Sequence, residues 1–484
     1  MTRTAIPMLD LMFFLTETQD SPRHVGSVLI LRPPRSRGRN VVQQIVDAYL
    51  RARPVEPFNR IPVFPKIGMP QWEQVDSVDM RHHVIHLALP PPGSNEQLHR
   101  LIADLHAPML ERHRPGWKIY VIEGLEDGRF AVYHKVHHAL VDGESGMAVL
   151  RRSLSSSASD RRIRTTIGVR MPARPRPVPH GFGDLLEREA RRLARRSLSV
   201  GRGSVRLIED TVEGLRGFSK TQKRAFTAPA TPMNEPIYNS RAISHAVFGL
   251  DEMKAVARAH GATLNDVALC ILDAALERYL SDGGRRPDHP LVALCPVSLR
   301  DSDAKEATTM VSAIWPPLGP VAADPARRLE VISANTRTEK QQLRGLGRDA
   351  AYAYAVMAFA MSETLVIARP DILGLRPANV LISNVRGPEQ RLYLNGARLE
   401  ALFPVSTLIV GIGLNVTLMS YAGKVIMGFT ANGSALPEVE SLGLYAQQAL
   451  DALRAPGRAA ATGPSRTAPR RSKPRRPTAR AARK

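Results

Sequence analysis

Short runs rich in β-branched and aliphatic residues predict strands over positions 25–31, 83–89, 117–123 and 129–136. Between them the apolar period changes to that of a helix. Val42, Ile45, Val46 and Leu50 form one stripe, and Leu98, Leu101, Ile102 and Leu105 another. A shorter helix is expected over 9–16, and Gly124 and Gly128 bracket a hairpin-type link. After the last strand, Met147, Leu150 and Leu154 recur at helical spacing. These elements describe an α/β domain over residues 1–160.

The pattern then breaks. Residues 161–232 form a basic, Pro-rich linker with two amphipathic helices. Leu186, Ala190, Leu193, Ala194 and Leu198 mark the first, and Val205, Ile208, Val212 and Leu215 the second. A stripe of this kind docks on the protein's own body or lies on a membrane. Regular elements resume at residue 233. Strands are predicted over 242–250, 291–296, 380–385, 408–418 and 424–430, with helices over 251–260, 266–280, 325–361 and 442–453. Residues 233–455 thus make a second α/β unit, and 456–484 a basic tail.

Composition sharpens this division. The chain has 484 residues and a formal charge of +22. Residues 455–484 hold ten Lys or Arg and no acid, and too few apolar residues to fold. Such a tail suits anionic lipid or nucleic acid, or stays solvated without a specific partner. No nucleic-acid module or aromatic–basic interleaving accompanies it, so a nucleic-acid role is not expected. Two cysteines, Cys270 and Cys295, exclude a disulfide framework and a Cys-rich zinc site. The N-terminus has no signal-peptide pattern, and an intracellular protein is expected. Positions 401–422 are uncharged but contain Pro404, Gly411, Gly413 and Asn415, so they are expected to form buried strands and no transmembrane helix.

The chemistry concentrates in one place. His137-His138-x-x-x-Asp142-Gly143 follows the strand at 129–136. An imidazole can act as a general base, an Asp can orient the turn, and a Gly permits close backbone approach. Strand parity puts His138 with Phe130, Val132, His134 and Val136, the more apolar set. His138 is therefore expected to face the buried side and His137 the other. Burial keeps an imidazole neutral and able to accept a proton. The alternative is two histidines at a strand end with Asp142 capping the following helix. His82, His83 and His134 are expected to be structural or exposed, and no residue group has metal-ligand spacing.

These residues, with ordered blocks on both sides, resemble the bacterial wax ester synthase/diacylglycerol acyltransferase family. That family lies within the chloramphenicol-acetyltransferase-like, CoA-dependent acyltransferases. The resemblance runs from Met8 to about Leu453. It rests on Asp10, Phe14, Glu17 and His24-Val25-Gly26, on Leu110, Arg112, Pro115 and Trp117, and on Ile122-Glu123-Gly124-Leu125. In the second half it rests on Asn265-Asp266, Pro296-Val297-Ser298-Leu299-Arg300 and Ser383-Asn384-Val385-Arg386-Gly387-Pro388. Departures occur at Arg23, Gly116 and Thr308-Thr309.

The resemblance implies two chloramphenicol-acetyltransferase-like α/β domains, with mixed sheets flanked by helices and a channel between them. It implies acyl transfer from a long-chain acyl-CoA, a co-substrate with no further cofactor, to diacylglycerol or a long-chain alcohol. His138 would be the general base without a covalent intermediate, His137 its support, and Asp142 a structural brace paired with Arg300 or Arg386. A backbone N–H near Gly143, or the hydroxyl of Ser298 or Ser383, would stabilise the oxyanion. Asn384 and Asn265 would satisfy turns or caps, and Arg386 would meet CoA phosphates. Peripheral contact with an anionic membrane or lipid droplets is expected, at the inner face of the plasma membrane or on lipid bodies. Alternatives are another thioester donor, another lipid alcohol, or a non-catalytic lipid-binding paralogue.

Overall fold

A computed structural model describes residues 3–34, 38–171, 228–298, 311–345 and 376–454. The amphipathic segments at 185–198 and 205–215, Arg300, Thr308-Thr309, the basic tail and part of the helical stretch expected over 325–361 lie outside the described residues.

The chain runs through β1 (Arg3–Ala5), α1 (Met8–Leu15), β2 (His24–Arg32), α2 (Gly38–Leu50), β3 (Arg60–Val63), β4 (Gln71–Gln74), α3 (Met80–His83) and β5 (Val84–Ala88). It continues with α4 (Asn95–His106), β6 (Trp117–Leu125), β7 (Arg129–His137) and α5 (Gly143–Ser153). The second half contains β8 (Arg241–Gly249), α6 (Leu250–Ala259), α7 (Leu264–Asp282), β9 (Ala293–Ser298), β10 (Val311–Ile314) and α8 (Pro325–Gly345). Then follow β11 (Val380–Val385), β12 (Tyr393–Leu394), β13 (Ala397–Val405), β14 (Leu414–Tyr421), β15 (Lys424–Asn432) and α9 (Ser441–Arg454).

Two six-stranded mixed sheets result, in the orders β12-β13-β2-β7-β6-β5 and β10-β9-β11-β14-β15-β8. A small sheet, β1-β4-β3, stands apart from them. Helix ends follow their local sequence. Ser94 caps α4 and Gln97 completes a capping box, while Thr263 and Asp266 do the same for α7. The cap of α7 is therefore made by the residues flanking Asn265, and Asn265 is not the capping group. Cys270 and Cys295 are buried free thiols, both pushed up to about 12 by burial.

The division at residue 233 needs a correction. β12 and β13, from the second half of the chain, join the first sheet, where β13 pairs antiparallel with β2 from Arg398–Arg32 to Val405–Gly26. Leu399, Leu402, Phe403 and Val405 are buried there, on both faces of the strand, and a bulge interrupts the register between Leu399 and Ala401. No local pattern reveals such an exchange, because a strand buried on both faces pairs equally well with either sheet. The segment leaving β13 then locks the halves together. Thr407 Oγ1 donates to the Pro22 carbonyl at 2.9 Å, and the Ser406 amide donates to Thr430 Oγ1 at 3.0 Å. A Cβ on Gly428 would overlap the Pro404 carbonyl oxygen, so that glycine permits the two sheets to meet. His99 on α4 and His245 on β8 share a 2.8 Å hydrogen bond across the same junction.

Candidate active site

β7 lies between β2 and β6, and both of its faces are covered. Phe130, Val132 and His134 are buried on one parity and Ala131, Tyr133, Lys135 and His137 on the other. The strand ends at His137, and residues 138–140 form a turn. The strand alternation therefore does not extend to His138. His137 is buried and His138 is partly exposed, the reverse of the expectation, because the alternation stops one residue before His138.

His137 is held on every side. Its amide donates to the Gly116 carbonyl at 2.8 Å, and its carbonyl accepts from the Leu140 amide at 2.9 Å. The Ala139 amide donates to Nδ1 at 3.2 Å, which makes Nδ1 the lone-pair nitrogen and places the proton on Nε2. That Nε2 faces Glu17 Oε1 at 3.5 Å, and Phe14 stacks on the ring at 4.2 Å. Burial raises the Glu17 pKa, but His137, the Arg23 amide and Arg112 outweigh it and hold the carboxyl below its ordinary range. Gly116 has a structural reason as well, since a Cβ there would stand 3.0 Å from His137 Cβ.

His138 presents its ring differently. Its amide donates to the Arg23 carbonyl at 2.8 Å, and Phe13 stacks on the imidazole at 4.3 Å. Adjacent phenylalanines of α1 thus cover adjacent histidines. Burial pushes the His138 pKa down to about 4. A hydrogen bond to its own carbonyl and the charge of Asp142 act against this, while His137 and Arg23 act with it. The imidazole is neutral at physiological pH.

Arg23 is the buried cation beneath this turn. Its Nη1 donates to the Leu408 carbonyl at 2.7 Å and its Nε to Thr16 Oγ1 at 3.2 Å. Lys135 is also buried. Its Nζ donates to the carbonyls of Leu105 and Pro108 at 2.9 and 2.5 Å, and burial lowers its pKa to about 7. His134 bonds the Tyr49 hydroxyl at 3.0 Å and His83 the Trp117 carbonyl at 2.7 Å, which are structural roles.

Asp142 caps α5: its Oδ1 accepts from the Ser145 amide at 2.8 Å. The ion pair of Arg386 is with Glu389, at 2.7 Å on an exposed surface, and the expected Asp142–Arg386 brace is not what holds that guanidinium. Gly143 is the first residue of α5 and has no positive φ, so no sharp turn requires it. A Cβ there would stand 3.4 Å from Val385 Cγ2, in ordinary contact, so the start of α5 lies against β11. The Arg151 guanidinium donates to the Arg386 carbonyl at 2.9 Å. Helix α5 therefore brings the histidine turn beside the end of β11. There Ser383 is half-buried and Asn384 exposed. Ser298 ends β9, which runs parallel to β11 in the same sheet.

The packing roles of Phe13, Phe14, Glu17 and Arg23 have no local signature in the sequence. Only the spacing of Phe13-Phe14 to Glu17, on and just past one short helix, hinted at a common target. A small cleft lined by Phe14, Pro62, Trp72, Arg112, Gly116 and His137 opens on the outer side of this cluster. A larger cavity of about 390 Å³ lies in the second half between α7 and α9, and is lined by none of these residues. Among the described residues, no group of three His, Cys, Asp or Glu is placed to hold a metal.

Residues 7–268 match the wax ester synthase/diacylglycerol acyltransferase catalytic domain, and residues 309–454 match the C-terminal domain of the same family. A putative diacylglycerol O-acyltransferase of Mycobacterium tuberculosis is 33% identical over 94% of this chain and 98% of its own length. A second from that organism is 35% identical over 89% and 95%. The solved wax ester synthase/diacylglycerol acyltransferase of Marinobacter aquaeolei superposes with a TM-score of 0.74 at 28% identity, covering 93% of this chain and 98% of that one. The first condensation domain of the calcium-dependent antibiotic synthetase shares the fold at a TM-score of 0.53 and 16% identity, over 94% and 98% of the two chains. The chain belongs to the wax ester synthase/diacylglycerol acyltransferase family.

Proposed function

We propose that this protein transfers a long-chain acyl group from acyl-CoA to the hydroxyl of diacylglycerol, forming triacylglycerol, and that long-chain alcohols serve as further acceptors to give wax esters. The observation that carries the reading is His138: a neutral imidazole, partly exposed at a turn that meets the second sheet, in a chain of this family.

His138 is the general base. A ring nitrogen of the neutral imidazole takes the acceptor's hydroxyl proton. The resulting oxygen attacks the thioester carbonyl, and a tetrahedral oxyanion forms. The C–S bond then breaks, and the CoA thiolate regains the proton from the His138 imidazolium. No acyl-enzyme forms. An imidazole with a pKa near 4 is a weak base, and its value lies in being unprotonated and fixed beside the reacting hydroxyl. The oxyanion donor is an N–H near Gly143, beside Val385 of β11, or the hydroxyl of Ser298 or Ser383.

His137 supports the base by fixing the turn, and Asp142 supports it by capping α5. Arg386 and Asn384 meet the polar part of CoA, a reading supported by their exposure at the end of the same block. The acceptor is a membrane lipid, and the protein works peripherally at the cytoplasmic face of a membrane or lipid body, with the basic tail assisting. Among the described residues, no helix is long and apolar enough to cross a membrane. Purified protein incubated with palmitoyl-CoA and dioleoylglycerol should release free CoA and form triacylglycerol in equal amounts. Thioester hydrolysis without triacylglycerol would reject the assignment.

A further inference from the structure

The turn between β3 and β4 is unusual. All six residues from Phe64 to Met69 are exposed, and three of them are large and apolar. Ile67 is 94% exposed, Met69 59% and Phe64 41%. Leu15, at the end of α1, is 60% exposed. Exposed large apolar side chains ordinarily lie scattered over a surface. Here they gather on two segments that touch: Phe14, the neighbour of Leu15, packs edge-on against Phe64 at 5.7 Å and Trp72 at 5.6 Å.

We propose that this hairpin tip, with Leu15, inserts into an anionic phospholipid surface and seats the protein on it. Three features favour lipid as the occupant. The apolar side chains crown a convex turn, which a fluid bilayer accommodates and which forms no groove for a partner segment. From Ile61 to Trp72 the only charged residue is Lys66, at the tip itself. A lysine among apolar residues keeps its stem in the acyl region and its ammonium among lipid phosphates. At the rim, the Arg112 guanidinium lies 5.7 Å over the Phe64 ring and is half-exposed.

The patch is also continuous with the histidine cluster. Phe64 touches Phe14, Phe14 stacks on His137, and the cleft lined by Phe14, Pro62, Trp72 and His137 lies at the hairpin's base. Docking here places that cleft against the lipid surface. This last step rests on the proposed transfer reaction, because only then is the acceptor a lipid; the docking itself does not.

The test is vesicle binding by the full-length protein, which is independent of any activity. Extruded vesicles of phosphatidylcholine and phosphatidylglycerol in equal parts are sedimented with wild type and with the double variant Ile67→Ser/Met69→Ser. Removing two inserted side chains should lower the partition coefficient about tenfold or more. An Ile67→Trp variant should shift its emission to the blue on binding and be quenched by lipids brominated on the acyl chain. CoA release with a water-soluble alcohol should be the same in wild type and the double variant. The proposal is overturned if wild type does not bind, or if the double variant binds as wild type does and so leaves docking to the tail. It is also overturned if light scattering shows that the double variant breaks a wild-type oligomer, which would make the patch a contact between copies.

Discussion

Glu17 Oε1 lies 3.5 Å from His137 Nε2, the nitrogen that carries the ring proton. The same carboxylate accepts from the Arg23 amide at 3.1 Å, and the Arg23 carbonyl in turn accepts from the His138 amide. One buried acid therefore orients one histidine and fixes the backbone of the next. Glu17→Gln keeps an acceptor for Arg23 but can turn an NH₂ toward His137 Nε2–H. The expected result is a fall in kcat of about tenfold, close to 1.4 kcal/mol, with KM little changed. A rise in KM alone would place Glu17 in substrate binding.

Asp142 offers a cleaner separation of roles. Asp142→Ala removes the cap of α5 and should cost about 1 kcal/mol of stability, with activity falling as the turn loosens. Asp142→Ser restores a capping oxygen without the charge. Thermal unfolding and CoA release should both recover in the serine variant. Recovery of stability without activity would show that the carboxylate itself takes part in chemistry.

Gly143 and Gly116 set distances. Gly143→Ala should be tolerated within about 1 kcal/mol, since its Cβ would meet Val385 at 3.4 Å. Gly143→Leu should push α5 away from β11 and lower kcat/KM far more than it lowers the unfolding temperature. Gly116→Val should crowd His137 Cβ and cost about 1–3 kcal/mol by overpacking. Kinetics and denaturant unfolding measured on each variant distinguish these effects.

The histidines also fix the response to acid. His138 sits near 4, so the acid limb of kcat/KM should fall near pH 4 and leave activity level from pH 6 to 8. His83, His134 and His245 sit near 4, and His24 and His106 well below the ordinary value, in each case chiefly through burial. In the unfolded chain they titrate near 6.5. The unfolded state therefore binds more protons between these values. The stability these groups contribute is whole above about pH 6.5 and is lost as pH falls toward and through the native values, at about 1.4 kcal/mol per pH unit for each proton taken up. Unfolding temperatures measured from pH 7 to 4 should fall steadily; a flat profile would mean that the histidines are charged and paired in the native protein.

Most of the regular elements were legible from periodicity, because α2, α4 and α5 carry one apolar stripe each and β2, β6 and β7 are dense in aliphatic residues. The motif was legible for the same local reason, His137 through Gly143 being contiguous. What stayed hidden was non-local. β13 joins the sheet of β2 across more than 360 residues of chain, as in the Leu402–Leu29 pair. Glu17 and Arg23 act more than 110 residues before the histidines they position. The assignment of buried and exposed histidine failed because period-two reasoning holds only while the strand lasts, and β7 stops at His137.

The central claim is that His138 is the base. The direct measurement is CoA release and triacylglycerol formation by purified His138→Ala beside wild type, with palmitoyl-CoA and dioleoylglycerol on the vesicles described above. The account predicts a loss of about 10²- to 10⁴-fold in kcat, with vesicle binding and a cooperative unfolding transition retained. Turnover by His138→Ala at the wild-type rate would contradict it.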